Sequence, residues 1–523
     1  MKKAVAVLFA FALCVFGQET VDLFAIHKIK AEAFQNSKVM DHVFYLTDVH
    51  GPRLTGSPNY RAAAEWAIRQ FREWGLANPH LEKFQFGRGW ICSRFSAHLK
   101  EPGYAPLLGY ARPWSPGTGG AVSGEAVIAN ISSESDFEKF RGKLKGKMVL
   151  VDKLRELALP TEPAARRVSD AELVELAKAP DPEQRFGFQG PPRAAAERRP
   201  GGPPNFRAMA EFRNKLNKFL ADEGVAVAVF EGDRGDAGIV RGSAQGSRDP
   251  KDPVPPPSVL LAPEHYGRIA RLIEHKIPVT LEFNIQARFL DETQDTFNVI
   301  ADLPGGDKKD EIVLLGGHLD SWTGGTGAAD NAAGSAIMME AARILKTLDF
   351  KLRRTVRVGL WAGEEQGLLG SRAYVKDHLA DRDTMALKPE HAKLSGYFNI
   401  DNGGGKIRGV YLQGNDMMRP VFRAWLEPFQ DYGASTVTIR NTGGTDHQSF
   451  DAVGIPAFQF IQDPLDYGTR VHHTNMDVYE RLVPGDLMEA SAIIASVAYH
   501  AAMRDELLPR KPLPKPGSGP RMP

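Results

Sequence analysis

From residue 295 onward the chain alternates short, almost unbroken apolar runs with helical stretches, and this alternation restricts the fold more than any other feature. The runs 311–318, 355–361, 396–401, 409–413 and 456–461 are rich in Val, Ile, Leu and Phe. A strand that is apolar on both sides must be covered on both sides, which is the condition of a mostly parallel sheet packed between helices. Helices are expected at 331–348, 371–379 and 486–503. The expected class is therefore α/β, and in such sheets a ligand binds outside the carboxyl ends of the strands.

Polar residues collect at those ends. The first run delivers His318 in GGHLDSW, and Asp320 two residues later could accept the other N–H of the imidazole. Asp330 stands where the 331–348 helix begins; alone it reads as a helix cap. The second run delivers Glu364 and Glu365 in WAGEEQG, alone an acidic turn. The third delivers Asp401, followed by Asn402 and three glycines. VHHTNMD adds His472, His473 and Asp477. Jointly, five separated segments supply His, Asp, Glu, Asp and His without a thiolate. That donor set suits zinc, and two ions sharing one carboxylate would use all five, leaving one glutamate as a base.

The rest of the chain sets the context. Lys2 and Lys3 precede the apolar stretch 4–16 and Gly17, the pattern of a signal peptide over 1–17, too short to span a bilayer. A secreted or periplasmic location follows, with no membrane span in the mature form. Cys14 and Cys92 are the only cysteines, which excludes a disulfide framework. Lys and Arg number 65 against 64 Asp and Glu, so a nucleic-acid partner is not expected. A helix is legible after Ser57, with Pro58 in its first turn and Ala63, Ala67, Phe71 and Trp74 on one face. Short strands at 124–130, 146–153, 225–232 and 258–262, with a helix around 209–220, read as an α+β insert. The expected division is a signal peptide at 1–17 and a first part of the main domain at 22–102. An insert at 103–290 and the rest of the main domain at 291–508 follow. The Pro-, Gly- and Arg-rich loop 180–204 and the tail 509–523 are expected to be disordered.

The blocks GGHLDSW, GAADN at 327–331, LWAGEEQG at 360–367, GGTD at 443–446, HHTNMD at 472–477 and ELLPR at 506–510 resemble the co-catalytic zinc exopeptidases. That family includes bacterial leucyl aminopeptidases and glutamate carboxypeptidase. HGPRLTGSP at 50–58 resembles it more weakly. The resemblance implies a phosphorylase/hydrolase-like three-layer α/β/α sandwich with a protease-associated insert. It implies two zinc ions per chain: His318 and Asp401 on one, Glu365 and His473 on the other, and Asp330 bridging both, followed by a cis peptide. It further implies hydrolysis of dipeptides or short peptides with free termini by a metal-bridging hydroxide, with Glu364 as general base. Thr445, Asp446 and His447 are expected on the opposite wall, and Arg470 is a candidate for a substrate carboxylate. A homodimer is compatible with the sequence. The rival readings are an aminopeptidase acting on longer peptides, a single-zinc cyclising acyltransferase like the glutaminyl cyclases, and an inactive receptor-like homologue.

Overall fold

The computed structural model describes residues 19–182, 206–232 and 235–516. The expected signal peptide and residues 183–204 of the expected loop lie outside the described residues.

The main sheet has eight strands in the order Ala77–Gln85, Asp295–Leu303, Arg354–Trp361, Lys308–His318, Leu394–Asn399, Ala457–Gln462, Ile407–Tyr411 and Thr436–Thr438. The four strands from Arg354–Trp361 to Ala457–Gln462 are parallel, and antiparallel neighbours flank them. Period-two alternation splits their side chains between two cores. Val313 and Leu315 face one, with Ile337 and Ile494 of the helices Ala333–Thr347 and Pro484–Met503. Leu314 faces the other, with Tyr374 and Phe450. The result is the expected sandwich. Helix Ala333–Thr347 is buried continuously from Ala333 to Leu345, its buried Glu340 and Arg343 paired with each other at 2.8 Å. Helix Pro58–Glu73 starts as expected, with Ser57 Oγ accepting from the Tyr60 N–H at 3.2 Å.

A second eight-stranded sheet runs in the order Ala105–Pro106, Gly89–Glu101, Thr280–Leu290, Ala121–Ile128, Met148–Leu150, Val227–Glu231, Ser258–Leu261 and Gly109–Ala111. It takes in residues before 103, because Gly89–Glu101 pairs with Thr280–Leu290 along almost its whole length. These two strands carry the chain into and out of the insert. Each is half exposed, so each alternates instead of forming the unbroken apolar run that marks the central strands of the main sheet.

Beyond its own sheet the insert also lies on the main domain. Arg167 bridges Asp463 at 2.8 Å and Asp486 at 2.7 Å, and Thr438 of the edge strand donates its hydroxyl to the Leu176 carbonyl at 2.6 Å. The expected disordered tail begins as ordered chain. Leu508 is buried, and Arg510 donates to the carbonyls of His391 and Leu394. Residues 517–523 lie outside the described residues. Among the described residues no helix is long and apolar enough to cross a membrane.

Candidate metal centre

Parallel register brings the polar strand ends side by side. His318 pairs with Trp361, three residues before Glu364, and Gly316 pairs with Asn399, two residues before Asp401. Asp330 enters from the turn before helix Ala333–Thr347, where its backbone is not helical, so it is not a simple cap. Its peptide bond to Asn331 is cis. Asn331 ties this turn to the neighbouring strand end, donating to the Ile400 carbonyl at 2.8 Å and accepting from the Gly334 N–H at 3.0 Å.

All five expected ligands meet. His318 Nε2 lies 3.2 Å from both Asp330 Oδ1 and Asp401 Oδ1. His473 Nε2 lies 3.1 Å from Asp330 Oδ2 and 2.9 Å from Glu365 Oε2. The two carboxylate oxygens of Asp330 thus face different histidines. The adjacent glutamates part company: Glu365 goes to His473, whereas Glu364 Oε2 stands 4.0 Å from His318 Nε2. Glu364 is held through its main chain, its N–H donating to Asp320 Oδ1 at 3.2 Å, while the Gly363 N–H donates to Thr55 Oγ1 at 2.9 Å. His318 Nδ1 lies 3.0 Å from the Asp320 main-chain oxygen and 3.6 Å from its carboxylate, so the main chain supplies the closer orienting acceptor. Asp477 accepts from the Ala329 N–H at 2.6 Å and the Asp330 N–H at 3.2 Å, which fixes the turn that carries Asp330.

The choice between the two histidines and between the two second-site carboxylates is one of distance and burial. His472 Nε2 lies 3.7 Å from Asp330 Oδ2 with a side chain 34 % exposed; Glu365 is 2 % exposed. Only His473 reaches both carboxylates within hydrogen-bond distance.

Electrostatics make this arrangement costly without a cation. Burial, then repulsion by Asp401, Asp446 and Glu365, pushes the Glu364 carboxyl well above the ordinary range, with His318 opposing. Burial takes Glu365 up to about 7 despite His473. Burial also opposes charge on the histidines, but Asp401 and Glu364 outweigh it at His318, and Glu365 and Asp330 raise His473 to about 10. Asp330 Oδ2 and Glu365 Oε1 are buried without a hydrogen-bond partner, although imidazole nitrogens stand nearby. Buried carboxylate oxygens left unpartnered beside converging imidazole nitrogens are what a metal ion would satisfy. Two imidazoles and three carboxylates gathered at these distances are a donor set that suits zinc.

Arg53 was not singled out in the sequence. Fully buried, it donates to the carbonyls of Leu319, Leu46, Thr326 and Gly327 at 2.6–2.9 Å and so pins the 319–327 segment between His318 and Asp330. Burial lowers its pKa to about 10, while Asp477, Asp320 and Asp330 oppose that fall. Its only sequence signal was the HGPRLTGSP block, since an isolated arginine has no periodicity. Of the expected opposite wall, Thr445 Oγ1 accepts from Asn399 at 2.9 Å, and burial raises the Asp446 carboxyl to about 7. His447 points elsewhere, to Gln413 and the Thr442 carbonyl, and burial lowers it to about 4. Arg470 is exposed; the arginine beside the cluster is Arg241 of the insert, whose Nη2 lies 3.4 Å from His473 Nδ1.

Residues 298–498 match peptidase family M28. Over these residues the chain is similar to that peptidase family. Carboxypeptidase Q of Mus musculus is 25 % identical to this chain over 467 residues, 89 % of this chain and 86 % of that protein. The crystal structure of a peptidase M28 precursor from Shewanella amazonensis SB2B superposes with a TM-score of 0.65 at 25 % identity, covering 94 % of this chain and 98 % of that one. BSAP, a zinc aminopeptidase from Bacillus subtilis, shares the fold with a TM-score of 0.55 at 19 % identity, covering 89 % and 95 %. The family match begins inside strand Asp295–Leu303 and ends inside helix Pro484–Met503, so it encloses every residue of the cluster.

Proposed function

We propose that this chain is an exported zinc exopeptidase that hydrolyses dipeptides or short peptides with free termini. The observation that carries the reading is the buried His318–Asp330–His473 bridge, with Asp401 and Glu365 at its two ends and buried carboxylate oxygens left without hydrogen bonds. On this reading His318 and Asp401 would hold one ion and Glu365 and His473 the other, with Asp330 available to both. Zinc bound there lowers the pKa of water and polarises the scissile carbonyl. Glu364 accepts the proton of the attacking water and passes it to the leaving amine. Asp320 steadies His318 through its main-chain oxygen and Glu364 through its carboxylate.

Insert residues lie against the 463–473 segment that leads to the cluster: Arg167 on Asp463, the Ala164 carbonyl on Thr469, and Arg241 on His473. The names of the related proteins, carboxypeptidase Q and aminopeptidases, point to the same class of reaction. A single-zinc acyltransferase would leave one histidine and one buried carboxylate without a partner, so the metal count separates the readings.

The test is a panel of dipeptides, free or blocked at either end, with the purified full-length protein. Cleavage is expected for free dipeptides, with loss on blocking one terminus and no internal cuts in a denatured protein. Endoproteolysis that persists with both termini blocked would overturn the exopeptidase reading. Dialysis against a chelator should abolish activity and two equivalents of zinc should restore it; full activity after verified metal loss would overturn the metal reading.

A further inference from the structure

We infer that the insert loop 238–242 is a positioning element of the metal centre: it clasps the main chain at His473, so that the affinity of the metal held by that residue depends on the insert. The inference rests on the reading of His473 as a ligand.

His473 has φ +63°, in the left-handed region that a residue with a Cβ avoids and keeps only where its surroundings over-determine it. The surroundings here come from the other sheet's chain. The Gly242 N–H donates to the His473 carbonyl at 2.6 Å, and the Asn475 N–H donates to the Val240 carbonyl at 3.1 Å. Between them Arg241 and Thr474 form an antiparallel bridge. The Asn475 side chain completes the clasp, Oδ1 accepting from the Val240 N–H at 2.7 Å and Nδ2 donating to the Gly238 carbonyl at 3.1 Å. Four hydrogen bonds therefore fix the main chain at and just after His473, all to a segment some 230 residues away in sequence.

The ring is bounded as well. Trp322 meets it edge-on with centroids 6.2 Å apart, and Trp322 in turn meets Trp114 of the insert at 6.4 Å. Arg241 approaches Nδ1, but a guanidinium only donates, so it gives no acceptor to an Nδ1–H. The direction of Nε2 is thus set by the main-chain clasp and the aromatic wall. Partners that orient a metal-bound histidine commonly change affinity by about 10- to 100-fold. Coupling is reciprocal, so metal bound at His473 must also tighten the clasp.

The experiment uses the full-length protein and zinc alone. Gly242→Pro removes the N–H that reaches His473, whereas Gly242→Ala keeps it, its Cβ meeting the His473 carbonyl at an ordinary 3.4 Å. Asn475→Ala removes the side-chain half. In a zinc titration the wild type and Gly242→Ala are expected to take two ions with unchanged affinity. Gly242→Pro and Asn475→Ala should bind one ion normally and the other about 10- to 100-fold more weakly, with excess zinc restoring the second. In wild-type protein, zinc removal should speed hydrogen exchange at the Gly242 and Asn475 amides. Two unweakened ions in folded Gly242→Pro and Asn475→Ala would overturn the inference alone. If those variants do not fold, the exchange experiment decides, and identical exchange with and without zinc overturns it. A wild type that takes up no zinc would overturn the metal reading and the inference with it.

Discussion

Glu364→Gln is expected to keep both metal ions and to lose at least ~10²-fold in kcat, the usual scale of a general-base contribution. Glu365→Gln should instead lose metal. The two residues are neighbours in sequence, yet Glu365 Oε2 lies 2.9 Å from His473 while Glu364 stands 4.0 Å from His318 and makes no closer ion pair among the described residues. Glutamine keeps the shape and removes the charge, so the first variant cannot take up a proton and the second is a poorer ligand. Metal analysis beside kcat distinguishes them. The reverse pattern, metal lost from Glu364→Gln and retained in Glu365→Gln, would overturn the division of roles.

Arg53→Met is expected to destabilise the protein by about 3–5 kcal/mol, the scale for leaving buried polar and charged partners uncompensated. The side chain fills four carbonyl acceptors contributed by Leu46, Leu319, Thr326 and Gly327 and lies in the field of Asp320, Asp330 and Asp477. Methionine occupies similar space but donates nothing, so the effect is one of unmet hydrogen bonds and unbalanced charge rather than of a cavity. Chemical unfolding of the metal-free protein checks it, with Arg470→Ala as the exposed comparison, expected within about 0.5 kcal/mol of the parent. A loss below about 1 kcal/mol for Arg53→Met would show that the arginine is dispensable for the 319–327 segment.

Local chemistry made the class of fold and the donor set readable from the sequence. Unbroken apolar runs ending in His318, Glu364 and Asp401 place those residues at one edge of a parallel sheet, because strands running the same way end on the same side. The strands Ala77–Gln85, Gly89–Glu101 and Thr280–Leu290 escaped that reading, because each is half exposed. Leu281, Phe283 and Ile285 nevertheless carried a period-two signal. The GAADN and HHTNMD blocks offered Asp330, His472 and His473 as further donors, and only the resemblance to known peptidases chose His473 over His472.

What the sequence by itself determined is therefore the α/β class and a set of imidazoles and carboxylates gathered at strand ends, since burial pattern and residue chemistry are local properties. Which partner each donor meets, and that Asp330 spans the two histidines, was expected only through the resemblance; tertiary structure alone decided that Arg53 and loop 238–242 hold the segments carrying them. Those contacts join residues that are far apart along the chain. They exist only once the sheets have packed, and the carbonyls and main-chain N–H groups that make them are the same at every position of the sequence.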